Sequence, residues 1–326
     1  MASAVSEFRP AWFLRGPHLQ TIWGRIARRR RGVALRREVV ETPDGDELVL
    51  DHLDGDASLR FILLHGLEGS SNSVYMQGLL AAIARHGFAA TAMNFRSCAL
   101  DARGRALMNR RPRFYHSGET GDFDFVARLL AAREPDGRRV AVGASLGGNV
   151  LLKWLGEHPG QQLVAAAAAF SVPFDLGAGA RHINYVYVAR FLRSLKKKIT
   201  QMLEHFPEMR DRVDLAAILR ARTFVEFDDA ATAPIHGFAS ADDYYAKSSS
   251  LQFLPKITTP TLILNAEDDP FLPREALERA RAAASPAIDF RTTPCGGHTG
   301  FISGTLPWRC EYWAEERIVE WLMGRA

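Results

Sequence analysis

A serine, a histidine and a pair of aspartates stand in this chain among neighbours that suit nucleophilic acyl transfer. Gly143-Ala144-Ser145-Leu146-Gly147 fits the pattern G-x-S-x-G. That pattern puts a serine on a sharp strand-to-helix turn, where small neighbours leave room for unusual backbone angles. A serine hydroxyl is a weak nucleophile near neutral pH and needs a base to take its proton. Among ten histidines, His298 is the candidate, because Gly296-Gly297-His298-Thr299-Gly300 lets an imidazole reach over a sheet edge. The imidazole in turn needs a carboxylate to fix its tautomer and stabilise its charged form. Glu267-Asp268-Asp269-Pro270 offers two aspartates. Proline at 270 favours an extended or turn conformation at Asp269, which makes Asp269 the preferred acid. Asp268 is the alternative; the aspartate not used would cap the loop.

Acyl transfer also needs two donors aimed at the developing oxyanion. The N–H of Leu146, next to the serine, is one. The N–H of Leu67, in His65-Gly66-Leu67-Glu68-Gly69, is the other; the flanking glycines permit close backbone approach. His65 is expected to hold this loop rather than perform chemistry. The reaction needs no metal or organic cofactor.

Periodicity shows which elements must carry these groups. Residues 37–42 and 47–52 read as strands around the turn Pro43-Asp44-Gly45-Asp46. Further strands are expected at 59–64, 89–94, 139–144, 163–171, 260–265 and 288–293. Helices are expected at 74–85, 121–133, 146–156, 274–284 and 309–323. Strand and helix alternate, which implies a mostly parallel central sheet with helices on both faces. From about 180 to 254 strand signals vanish and basic amphipathic stretches such as 190–204 take over, the pattern of an inserted helical cap. Ser145 then follows one strand, Asp268 and Asp269 another, and His298 the last.

The 326 residues, 47% of them apolar, suit one domain over 1–326 with that cap and a basic N-terminal segment, 1–36. Residues 1–40 hold nine arginines against two glutamates, and Arg28 to Arg31 is one basic run. Such a run can make weak contact with an anionic membrane surface, although a solvated basic face is the commoner outcome. No zinc-finger or aromatic-interleaved RNA motif accompanies it, which argues against nucleic acid. Cys98, Cys295 and Cys310 form no metal-ligand or disulfide framework. No secretory signal or span-length apolar run is present, so a soluble, cytoplasmic protein is expected.

Seven ordered motifs resemble those of the YheT-like branch of the α/β-hydrolases, which includes EMB8-type plant proteins and ABHD-type lipases and esterases. They are His18-Leu19-Gln20-Thr21, His65–Ser71, Tyr115-His116-Ser117-Gly118, Gly143–Asn149, Ser171-Val172-Pro173, Thr261–Phe271 and Gly296–Phe301. The resemblance implies the α/β-hydrolase fold, Ser145 as nucleophile, an aspartate of the 268/269 pair, and His298 as base. It further implies a carboxylic ester hydrolase acting on a small acyl ester or lipid. A thioesterase or acyltransferase would use the same triad; a membrane-surface binding module would not need it. Two departures stand out. Asn94-Phe95-Arg96-Ser97-Cys98 carries serine where the branch has glycine, and 99–108 is longer than usual. Both are expected near the mouth of the site. Arg96, Tyr115, His116 and Asp228 are expected either to line the pocket or to hold loops. The basic stretch 190–198 is expected as a solvated lid helix or a guide for an anionic head group.

Overall fold

The computed structural model describes residues 8–28 and 32–325. Apart from Arg28, the basic run at 28–31 lies outside the described residues, as do residues 1–7. The chain opens with helix α1 (Pro17–Ala27), then strands β1 (Arg36–Glu41), β2 (Glu47–Leu53) and β3 (Asp56–Leu64). Helix α2 (Val74–Arg85), β4 (Phe88–Asn94), α3 (Gly121–Arg133), β5 (Arg138–Ala144), α4 (Leu146–Glu157) and β6 (Ala166–Phe170) follow. A helical stretch then intervenes: α5 (Leu176–His182), α6 (Tyr185–His205), α7 (Leu215–Arg220), α8 (Phe224–Phe227), α9 (Ala233–His236) and α10 (Ala241–Ser248). The chain resumes with β7 (Thr261–Ala266), α11 (Arg274–Ala283), β8 (Ile288–Thr293), β9 (Ile302–Leu306), β10 (Arg309–Tyr312) and α12 (Trp313–Met323).

Eight strands form one sheet in the order β1-β2-β4-β3-β5-β6-β7-β8. β1, β2 and β4 pair antiparallel; every pairing from β4 to β8 is parallel. Parallel strands covered on both faces must be apolar at successive positions. Along β3, Phe61 and Leu63 pack on α2 and α12, while Ile62 and Leu64 pack on α3, α4 and α11. The chain order reverses between β3 and β5, the switch point where ligand sites of open α/β sheets lie, at the strands' carboxyl ends.

Two expectations need correction, and one element is new. β6 begins at Ala166, because the Gln161 side chain accepts the Leu163 and Val164 N–H groups and keeps both out of the sheet. Residues 309–312 are not helical; they pair with β9 as a hairpin, and the helix starts at Trp313. α1 is an addition: Pro17 stands in its first turn, where a missing N–H costs nothing.

Candidate active site

Ser145 sits between β5 and α4 with φ 52° and ψ −120°, a conformation that an L-residue keeps only when its surroundings hold it. The Ser145 N–H donates to Phe170 O at 3.0 Å. The glycines around it are dictated by packing. A Cβ at Gly147 would lie 2.5 Å from the carbonyl oxygens of Leu64 and His65, and one at Gly143 would lie 2.5 Å from Gly147 O.

His298 stands over this turn, buried, with Nε2 2.9 Å from Ser145 Oγ. Its Nδ1 lies 2.9 Å and 3.1 Å from the two Asp269 carboxylate oxygens. Phe271 stacks on the ring at 4.1 Å between centroids. Asp268 points elsewhere: its Oδ1 accepts the Gly297 N–H at 2.8 Å and so caps the histidine loop. Burial raises the Asp268 pKa. The loop has two further supports. Thr299 N–H donates to Ser171 Oγ, and His298 N–H donates to Thr21 Oγ1, each at 2.9 Å. Thr21 belongs to α1, and its neighbour Gln20 bonds Ile302 through both N–H and C=O. The role of His18-Leu19-Gln20-Thr21 as a brace for the histidine loop was not legible in the sequence; its only signal was the motif itself.

The β3 loop faces the serine from the other side. A Cβ at Gly66 would lie 3.0 Å from Ser145 Cβ. Neither Leu67 N–H nor Leu146 N–H has an acceptor among the described residues. His65 holds the loop: Nδ1 donates to Gly66 O at 2.8 Å and Nε2 accepts the Phe95 N–H at 3.1 Å. Burial pushes its pKa down to about 4, so it stays neutral. Glu68 follows Leu67 with φ 53°. Tyr115 OH accepts the Glu68 N–H at 2.7 Å, and the Glu68 carboxylate meets buried Lys198 Nζ at 2.5 Å and the Ser194 hydroxyl, both on α6. Lys198 is therefore not part of a solvated lid face but a tie between the cap and this loop.

A family model described as alpha/beta hydrolase fold matches residues 60–305. The chain belongs to the α/β-hydrolase fold family. It is 37% identical to the Escherichia coli (strain K12) protein YheT over 98% of this chain and 94% of that one, which puts it in the YheT-like branch. It is 31% identical to the Mus musculus phospholipase ABHD3, over 92% of this chain and 74% of the relative. Among solved structures, the esterase of Exiguobacterium antarcticum superposes with a TM-score of 0.56 at 17% identity, covering 88% of this chain and all of that one, a likeness of fold.

In this α/β hydrolase, Ser145 and His298 open onto a cavity of about 700 Å³ between sheet edge, α1 and cap. Tyr115, His116 and Asp228 line it; Arg96 does not. Arg96 is buried in a cluster with Asp44, Asp46 and Asp122, tying the β1–β2 turn to α3. The expected place of Ser97 and 99–108 at the mouth is also corrected, since none of them lines the cavity. Arg37 binds Leu100 O, and Asn109 Nδ2 binds Glu47 O, so this loop folds onto the β1–β2 edge. Ser97 has φ 59°, and its Oγ accepts the Asn109 N–H at 3.3 Å, which compensates a conformation glycine would adopt freely.

Proposed function

We propose that this protein cleaves carboxylic esters through an acyl-enzyme on Ser145, with His298 as base and Asp269 as its orienting acid. The observation that carries this is the unbroken line of contacts, Ser145 Oγ to His298 Nε2 to Asp269, each 2.9 Å long. His298 takes the Ser145 proton as Oγ attacks the ester carbonyl. Leu67 and Leu146 N–H groups stabilise the oxyanion. His298 then protonates the leaving alcohol, and water activated by the same ring frees the acid. Replacing Ser145 by Ala and measuring chromogenic ester turnover tests this; undiminished turnover would sink it.

The cavity supports a lipid-like ester as the substrate class. Its size falls within the usual range for small-molecule sites, roughly 300–1,000 Å³, and Leu176, Ile183, Phe191, Leu195 and Phe224 give it apolar walls. Such walls suit an acyl chain, and the phospholipase name of one relative agrees with a lipid ester. The lipid would be met at a membrane surface. α1 turns Leu19, Ile22 and Ile26 outward, Ile26 at 75% exposure, and Val186 at the start of α6 is 72% exposed. Ile22, Ile26 and Val186 also line the cavity, so this apolar patch is its rim, with Arg190 and Arg193 beside it. These cations, together with the N-terminal arginines, favour weak contact with anionic lipid.

A further inference from the structure

Beneath the cap, the cavity meets polar groups instead of apolar wall. Asp228, Thr232, Tyr244, Tyr245 and His116 line this part. Asp228 opens a π-helical turn, Asp228–Thr232, a backbone form concentrated at functional sites. Its Oδ1 accepts the Thr232 hydroxyl at 2.5 Å and its Oδ2 the Tyr245 hydroxyl at 2.6 Å. Each oxygen keeps a further lone pair. No cation offsets its charge among the described residues, and burial pushes its pKa up to about 6.

Two donors line the same part of the cavity. His116 Nδ1 accepts the Gly118 N–H at 3.1 Å, and burial pushes the ring pKa down to about 3. The neutral ring therefore carries its proton on Nε2. Glu119 Oε2 is 3.8 Å from that nitrogen, beyond hydrogen-bond reach. Tyr244 OH accepts the Ser117 N–H at 3.0 Å and lies beside the Ser117 hydroxyl, and its own proton is free to turn from that hydroxyl toward the cavity that Tyr244 lines. Ring contacts join the groups: His116 to Tyr244 at 5.8 Å, Tyr244 to Tyr245 at 5.2 Å. A plain hydrocarbon chain would leave the Asp228 charge without an offset and the His116 N–H without an acceptor. An ammonium group would satisfy the carboxylate and face two donors. A hydroxyl group both donates and accepts.

We propose that Asp228, His116 and Tyr244 form a socket for hydroxyl groups of the substrate, Asp228 accepting and the other two donating. This rests on Ser145 being the ester-cleaving nucleophile. The hydroxyls can belong to the alcohol part, as in a glyceryl monoester, or to a hydroxylated acyl chain; the chemistry offered to the socket is the same.

The test compares kcat/KM of the full chain on glyceryl monodecanoate, propyl ω-hydroxydecanoate, choline decanoate and propyl decanoate. At least one hydroxylated ester should exceed propyl decanoate by about ten- to a hundredfold, the worth of a hydrogen bond to a charged group. Whichever hydroxylated ester is favoured identifies the side of the substrate that enters the socket. In Asp228→Asn and in Tyr244→Phe that ratio should fall toward one. A wild-type ratio near one, a preference for the choline ester, or a ratio that both variants leave unchanged would overturn the proposal. The wild-type ratio decides even if a variant fails to fold, and fluorophosphonate labelling of Ser145 shows whether it has folded. Propyl decanoate turnover that survives Ser145→Ala would instead indict the nucleophile assignment.

Discussion

Two adjacent aspartates have divided two tasks. Asp269 reaches the imidazole of His298, while Asp268 accepts a backbone N–H of the same loop. Asp269→Asn should lower kcat by about 10⁴, because an amide no longer holds the tautomer the reaction needs. Asp268→Asn keeps an acceptor for Gly297 and should lower kcat far less. Ester hydrolysis by the two variants, compared side by side, checks this; equal losses would reverse the assignment. Asp228 supports a prediction about stability. Its pKa rises from an ordinary 3.8 to about 6 on folding. Between these values the folded chain holds a proton that the unfolded chain has released, so stability falls as pH rises through the window. The penalty is complete above it. Asp228→Asn should therefore improve Tm, relative to wild type, more at pH 8 than at pH 4. The size of the shift bounds the difference at about 3 kcal/mol. Equal Tm differences at both pH values would contradict this.

Two helices outside the sheet act on the reacting loops. α1 supplies the acceptor for His298 N–H through Thr21. Thr21→Val keeps the shape and removes that acceptor, so kcat should drop by up to about tenfold, the worth of one hydrogen bond. Undiminished kcat would make α1 a packing element only. α6 acts through Lys198, which neutralises the buried Glu68 beside Leu67. Lys198→Met leaves that carboxylate unpaired, at a cost of about 3–5 kcal/mol. Urea unfolding should show this loss. Because Glu68 neighbours Leu67, the proposed oxyanion donor, kcat should fall more than KM rises; a rise in KM alone would limit α6 to substrate binding. The strand-helix alternation that carries the serine was readable because β3, β5 and α4 bury regular faces. α1 was not, since its outward face is the apolar one and only Gln20 is buried.

Across the whole molecule, charge and apolar exposure meet at the cavity rim. Among the described residues no helix is long and apolar enough to cross a membrane. Leu19 and Tyr185, both exposed, flank that rim without lining the cavity. Leu19→Asp with Tyr185→Asp should weaken co-sedimentation with anionic vesicles by about tenfold or more, as two side chains lose apolar burial near an anionic surface. Unchanged co-sedimentation would remove the membrane face from the reading.

The sequence by itself determined the sheet, the elbow and the side chains from which the proposed triad is drawn. Their signals are local patterns: the glycine spacing of Gly143–Gly148 marks a tight strand-to-helix turn, even though Gly147 makes room for the distant Leu64 and His65 carbonyls, and the buried strands are apolar at successive positions. Only the tertiary structure decided which aspartate meets His298, because both precede Pro270 and differ only in where a folded loop aims them. It also decided that Ser97 and its loop lie away from the cavity, and that Thr21, 277 positions before His298 in the chain, braces its backbone. Such pairings are set by how distant segments pack, and a side chain's own neighbours in sequence carry no record of them.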